Sequence, residues 1–177
     1  MIIDTLKYIA LFIFLMIMQL FVINQVNVFI NFSYLFQPQI VIMLVLLLPA
    51  NISHSMSISI SFIVGIILDM FLNTMGINAS ILTLIGFVRY YFTRDIENEI
   101  SSREEDNKIW TSKKSSTWKY SYFGFFCALY FFVFLFIQNG FRNFFNLFLP
   151  ALISNTIITF LLILLLENLI YKPTRHK

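Results

Sequence analysis

The chain has 177 residues, 59% of them hydrophobic and 12% charged, with a mean hydropathy of +0.81, whereas ordinary globular domains carry roughly 25% charged residues. Twelve Lys and Arg plus nine Asp and Glu cannot cover the surface of a soluble protein of this size, so soluble enzymes and nucleic-acid-binding proteins are excluded and a membrane protein is left. The net charge of +3 reports topology rather than nucleic acid, because the basic residues sit where the positive-inside rule puts them.

A helix crossing a hydrocarbon core of about 30 Å needs about 20 mostly apolar residues. The first such run is 6–27. It follows only Asp4 and Lys7 and lacks the small-residue cleavage pattern of a signal peptide, so a retained span is expected. Gln19, Asn24, Gln25 and Asn27 cluster at its far end, most simply as a wet helix end. The second run, 38–50, is short. Between Pro38 and Pro49 lies Gln39 and then an unbroken apolar stretch from Ile40 to Leu48, which as a helix reaches only about 15 Å. It is either a short span or a re-entrant segment.

The third run, 56–74, places Ser57, Ser61, Gly65 and Asp69 four residues apart on one face, with Asn73 continuing the row. Small residues let helix backbones approach closely in lipid, where association depends on packing and hydrogen bonds. Asp69 is the acidic residue that lies well inside a span. An ionised carboxylate at mid-bilayer costs about 2.5–3.5 kcal/mol, so it should face protein or water. It either braces the turn Asn73–Asn78 into the next helix, the expected role, or handles protons or substrate. Asp69→Asn is expected to keep much of the hydrogen bonding of a brace. The fourth run, 77–93, starts after Gly76, includes Asn78, and closes on Arg89, Tyr90 and Tyr91.

The loop 94–119 divides by sign: acids predominate over 94–106, while 107–119 holds four lysines and no acid, with Trp110 and Trp118 among them. A solvated cytoplasmic loop resting on the inner leaflet accounts for this, and a docking element for a cytoplasmic partner is the sharper alternative. The fifth run, 120–138, is rich in Phe and Tyr, which suits lipid contact and packing or else a docked partner helix. The last run, 147–170, ends before Lys172, Pro173 and Arg175. With loop and tail inside, six spans also bring Lys7 inside, so an all-α six-helix bundle with both termini cytoplasmic is expected.

Ser154, Asn155, Thr159 and Thr83 are read as packing contacts, Glu167 as an interfacial anchor, and Cys127 as a small buried apolar residue. A single cysteine excludes an intramolecular disulfide, and His54 and His176 lack metal-ligand spacing. There is no phosphate loop, HExxH, GxSxG or close pair of intramembrane carboxylates. No catalytic, cofactor-binding or metal-binding residues are expected.

The stretch Gly65-Ile-Ile-Leu-Asp69-Met-Phe-Leu-Asn-Thr-Met-Gly76-Ile-Asn78, running into a helix that closes on Phe87-Val-Arg89-Tyr-Tyr, resembles the rod shape-determining protein MreD family. The Pro38-Gln39 start of a short span, the charged loop and the final helix closing on Glu167, Tyr171, Lys172 and Pro173 are similar too. Gln39 departs from the acidic residue the family often has there. The resemblance implies a non-enzymatic scaffold in the bacterial inner (cytoplasmic) membrane. Its expected partners are an MreC-like bitopic protein and, indirectly, MreB-like filaments and the peptidoglycan synthases. Ser57, Ser61 and Gly65 or the aromatic fifth span are the candidate contacts for MreC, with the ridge facing another helix of the same chain as the favoured alternative, because Asp69 on that face needs a permanent partner. The family's fold is similar to the six-helix substrate-binding subunits of energy-coupling-factor transporters, so the rival expectation is a vitamin-binding transporter subunit.

Overall fold

The computed structural model describes residues 2–23, 37–49, 52–101, 116–140 and 144–170, and every regular element among them is helical. Helix α1 is Ile2–Ile17 and widens into π-helical turns over Met18–Ile23. Next come α2, Ile42–Leu46, then α3, His54–Leu72, and α4, Ile77–Ser101. Helix α5 is Ser116–Asn139, and a π-helical stretch Phe144–Phe148 leads directly into α6, Leu149–Ile170.

Three of these segments are long and apolar enough to cross a membrane: His54–Leu72, Thr117–Gln138 and Phe144–Glu167. Their outer faces carry large exposed apolar side chains, including Met70 and Phe71 on α3, Phe132 and Phe136 on α5, and Leu161 and Leu165 on α6. In water such a continuous surface would drive association. Against lipid it is the ordinary outer face of a bundle.

The most intimate pair is α3 and α4, joined by only four residues, 73–76, and therefore antiparallel neighbours. Ser53 starts α3 by accepting the Met56 N–H on its hydroxyl at 3.4 Å. Asn73 ends it in the left-handed region, φ 53°, with its N–H on the Asp69 carbonyl. Gly76 follows at φ 77°, where a Cβ would be strained. Helix α5 packs against both α4 and α6, with Phe92 of α4 against the rings of Phe125 and Phe126.

Helix α2 sits in the middle of this arrangement. It contacts α1, α3, α4 and α5, and all five of its residues are buried. The expected second span thus contains a helix of only five residues, about 7.5 Å long at 1.5 Å per residue. Prolines at both ends limit helix growth, and irregular backbone at membrane depth is tolerated where protein surrounds it and supplies its hydrogen bonds. Two further boundaries differ from the sequence reading. Helix α4 continues to Ser101 and α5 begins at Ser116, because hydropathy marks where hydrocarbon ends, not where a helix must. The part of the expected sign-divided loop at 102–115, Trp110 included, lies outside the described residues, as do Asn24–Asn27, Arg142 and the tail from 171.

Candidate functional site

Two polar constellations occupy the interior. The first is built on Asp69, one turn before the end of α3, where its carboxylate faces the first turn of α4. Oδ1 accepts from the Asn78 N–H at 3.0 Å, from Asn78 Nδ2 at 2.9 Å and from the Thr74 hydroxyl. Oδ2 accepts from the Ala79 N–H at 2.8 Å. An anion therefore meets free N–H groups at a helix N-terminus, which both caps those donors and suits the helix dipole. Asn78 also donates to the Thr74 hydroxyl at 2.9 Å, and Tyr130 of α5 donates to Asn78 Oδ1. The turn, two helices and α5 are thereby tied through one carboxylate and one amide.

The rest of the ridge lies along the same hairpin. Ser57 donates to the Gly86 carbonyl at 3.2 Å, and Ser61 donates to Ser57 O at 2.7 Å. A Cβ at Gly65 would strike the Ala79 backbone, 2.7 Å from its nitrogen, and one at Gly86 would strike the Ser61 side chain. Ser57, Ser61, Gly65, Asp69, Gly76 and Asn78 are thus brought together in one α3–α4 unit. Ser57, Ser61 and Gly65 are buried against α4 of the same chain, so they present no free surface to another protein.

Both oxygens of the Asp69 carboxylate accept hydrogen bonds, which sharpens the expectation for its substitution. In Asp69→Asn the amide nitrogen must replace one oxygen, and the least damaging choice turns it towards the Ala79 N–H, donor against donor. A buried unsatisfied donor costs about 1–3 kcal/mol. Asp69→Asn should lower thermal stability in detergent measurably, and Asp69→Leu, which loses all four bonds, should lower it further. Equal stability of Asp69→Leu and the parent chain would show that the carboxylate braces nothing.

The second constellation surrounds 37–49. Gln19, fully buried, accepts the Ile40 N–H on Oε1 at 2.8 Å and donates from Nε2 to the Pro38 carbonyl at 3.1 Å. Asn155 of α6 accepts the Gln37 N–H at 2.5 Å and Thr159 accepts the Gln39 N–H at 3.2 Å. At the other end, Arg89 of α4, 1% exposed, donates from Nη2 to the carbonyls of Leu48 and, at 3.2 Å, Pro49. Side chains from α1, α4 and α6 thus replace the backbone partners that a longer helix would have supplied. None of these roles is visible in the sequence, where Gln19 reads as part of a wet helix end, Asn155 and Thr159 as packing contacts, and Arg89 as the close of a span.

Chemically, both constellations fix backbone. Among the described residues no group of three or more His, Cys, Asp or Glu is placed to hold a metal ion. Lipid-type outer faces and three membrane-length helices define an all-α membrane protein. Protein-family models, curated proteins and solved structures contain no match to it, and its functional reading rests on its own residues.

Proposed function

We propose that the protein is a non-enzymatic inner-membrane scaffold of the MreD type, which binds an MreC-like bitopic protein and supports peptidoglycan synthesis beside MreB-like filaments. The observation that carries this reading is the Gly65–Asn78 hairpin. The residues through which the chain resembles MreD are the ones that act together in it: Gly65 at the close approach, Asp69 and Asn78 in the brace, and Gly76 at the turn. A hairpin whose carboxylate and amide bind each other and the turn suits a binding scaffold better than a transport pathway. The rival vitamin-binding subunit would need polar groups converging on a pocket, whereas the half-open cleft between α1, α2 and α3 is lined by apolar residues such as Leu11, Leu44 and Ile60.

In this reading both termini are cytoplasmic, and 37–49 is the second of six crossings, made inside the bundle. Cysteine labelling of intact cells should then reach positions 75 and 143 and spare 107 and 177. Because the small-residue ridge is buried within the chain, the contact with an MreC-like helix falls to the aromatic face of α5, where Phe125, Phe132 and Phe136 are exposed at helical spacing. Phe132→Ala combined with Phe136→Ala should reduce co-purification of an MreC-like protein from solubilised membranes severalfold, a larger fall than the loss of folded protein that follows from the missing Phe132–Phe148 ring contact. Full retention of the partner by that variant would remove α5 as the contact.

A further inference from the structure

We infer that Arg89, together with the Tyr122 hydroxyl, is a binding site for a phosphate oxyanion at the membrane boundary, whose place the carbonyls of Leu48 and Pro49 hold. Arg89 is 1% exposed, and its positive charge meets only neutral oxygen: Nη2 donates to those two carbonyls, the second at 3.2 Å. Among the described residues no carboxylate is bonded to it. The Tyr122 hydroxyl of α5 stands at the guanidinium's side, and neither that buried hydroxyl nor the buried Nε has a well-formed hydrogen bond. A buried charge is costly unless an opposite charge meets it, and an intramembrane guanidinium without one is where a functional site is first sought.

Depth selects the anion. His54 opens α3, a helix of 19 residues and so about 28 Å long, enough to cross the hydrocarbon core. Its ring lies 4.5 Å from that of Tyr90, so Arg89, the residue before Tyr90, is level with the end of a membrane-crossing helix. On α5, Trp118 stacks on Tyr122 at 5.1 Å, and Tyr91 and Tyr120 are exposed at this same end, which together make the aromatic belt of a headgroup boundary. The anions that line such a boundary are phosphates. Two phosphate oxygens accept from two guanidinium N–H groups at once, and these charge-assisted bonds are roughly twice as strong as neutral ones. The carbonyls occupy one nitrogen only, and Leu48 and Pro49 also line the half-open cleft between α1, α2 and α3. An arriving phosphate thus has a route to displace them, and would take Nε–H, an Nη–H and the Tyr122 O–H. The two carbonyls act as a latch that opens as the anion binds. This site does not depend on the proposed scaffold role.

The test titrates the purified full chain in mild detergent with phosphatidylglycerol, with diacylglycerol, which has the same tails and no phosphate, and with inorganic phosphate, and reads bound ligand by native mass spectrometry. The expected result is one phosphatidylglycerol retained per chain, at concentrations severalfold below those at which diacylglycerol is retained. Tyr122→Phe keeps the ring and its packing and should weaken phosphatidylglycerol binding severalfold. Arg89→Lys keeps the charge and loses the fork, and should weaken it further. Circular dichroism sets each variant at equal folded protein, and Tyr122→Phe decides alone should Arg89→Lys fail to fold. Displacement of the lipid by inorganic phosphate would assign the site to free phosphate, and its retention to the lipid headgroup. Equal retention of phosphatidylglycerol and diacylglycerol by the parent chain, or phosphatidylglycerol binding unchanged in either folded variant, would overturn the proposal and leave Arg89 as a fixed brace of 37–49.

Discussion

Arg89→Leu is expected to destabilise the protein by about 1–3 kcal/mol. Two partly buried carbonyls, Leu48 and Pro49, lose their donor, at about 1–3 kcal/mol each if no other donor replaces it. Against this, removing a buried guanidinium relieves a burial cost of about 2.5–3.5 kcal/mol at most on insertion scales. Relief is partial, because Nη2 is already hydrogen-bonded, although the buried Nε has no partner. Arg89→Lys keeps the charge, but its single ammonium replaces a planar fork with a shorter reach, so its stability should fall between the two. Thermal unfolding in mild detergent, followed by helical circular dichroism, orders the three proteins. An Arg89→Leu chain as stable as the parent would mean that 37–49 is anchored without Arg89.

Gly65→Ala should cost more than Gly86→Ala, although both glycines lie in the same helix contact. The new methyl at Gly65 meets the backbone of Ala79 and the Asn78 carbonyl at 2.9 Å, atoms that move only if α4 moves. At Gly86 it meets the Ser61 hydroxyl, which can rotate aside, and the Ser61 Cβ at 2.8 Å and the Ser57 carbonyl at 3.0 Å, a looser contact than the Ala79 backbone makes at Gly65. Overpacking of a tight contact costs about 1–3 kcal/mol. For Gly65→Ala the cost should reach the top of that range, since displacing α4 also pulls Asn78 and Ala79 off Asp69. Gly65→Leu should prevent accumulation of folded protein. Partner binding by Gly65→Ala should fall only as its folded fraction falls, because the ridge faces α4 and not a second protein. Unchanged stability of Gly65→Leu would contradict the packing described here.

The α3–α4 hairpin was legible in the sequence because its parts are close along the chain. Four-residue spacing fixes one helix face, a lone carboxylate needs a local partner, and Asn78 and Ala79 lie only nine and ten residues beyond Asp69. The setting of 37–49 was not legible. Its partners are 118 and 120 residues away at Asn155 and Thr159 and 41 away at Arg89, and hydropathic periodicity carries no record of such pairings. An amide near the end of an apolar run, such as Gln19, reads the same whether it faces water or a buried backbone. Its place in a π-helical stretch, a feature frequent at functional sites, is likewise invisible in composition. The length of 38–50 did signal the problem, too few residues for a helical span, and the solution came from side chains on three other helices.

Direct association with an MreC-like protein tests the scaffold reading most simply. The purified full chain, mixed in detergent with a purified MreC-like bitopic protein and analysed by size-exclusion chromatography with light scattering, should give one co-eluting complex. Phe132→Ala with Phe136→Ala should abolish that complex while the variant itself elutes as the folded parent does. Separate elution of the two parent proteins, together with retention of a vitamin-sized molecule by this chain through purification, would contradict the account and favour a transporter subunit.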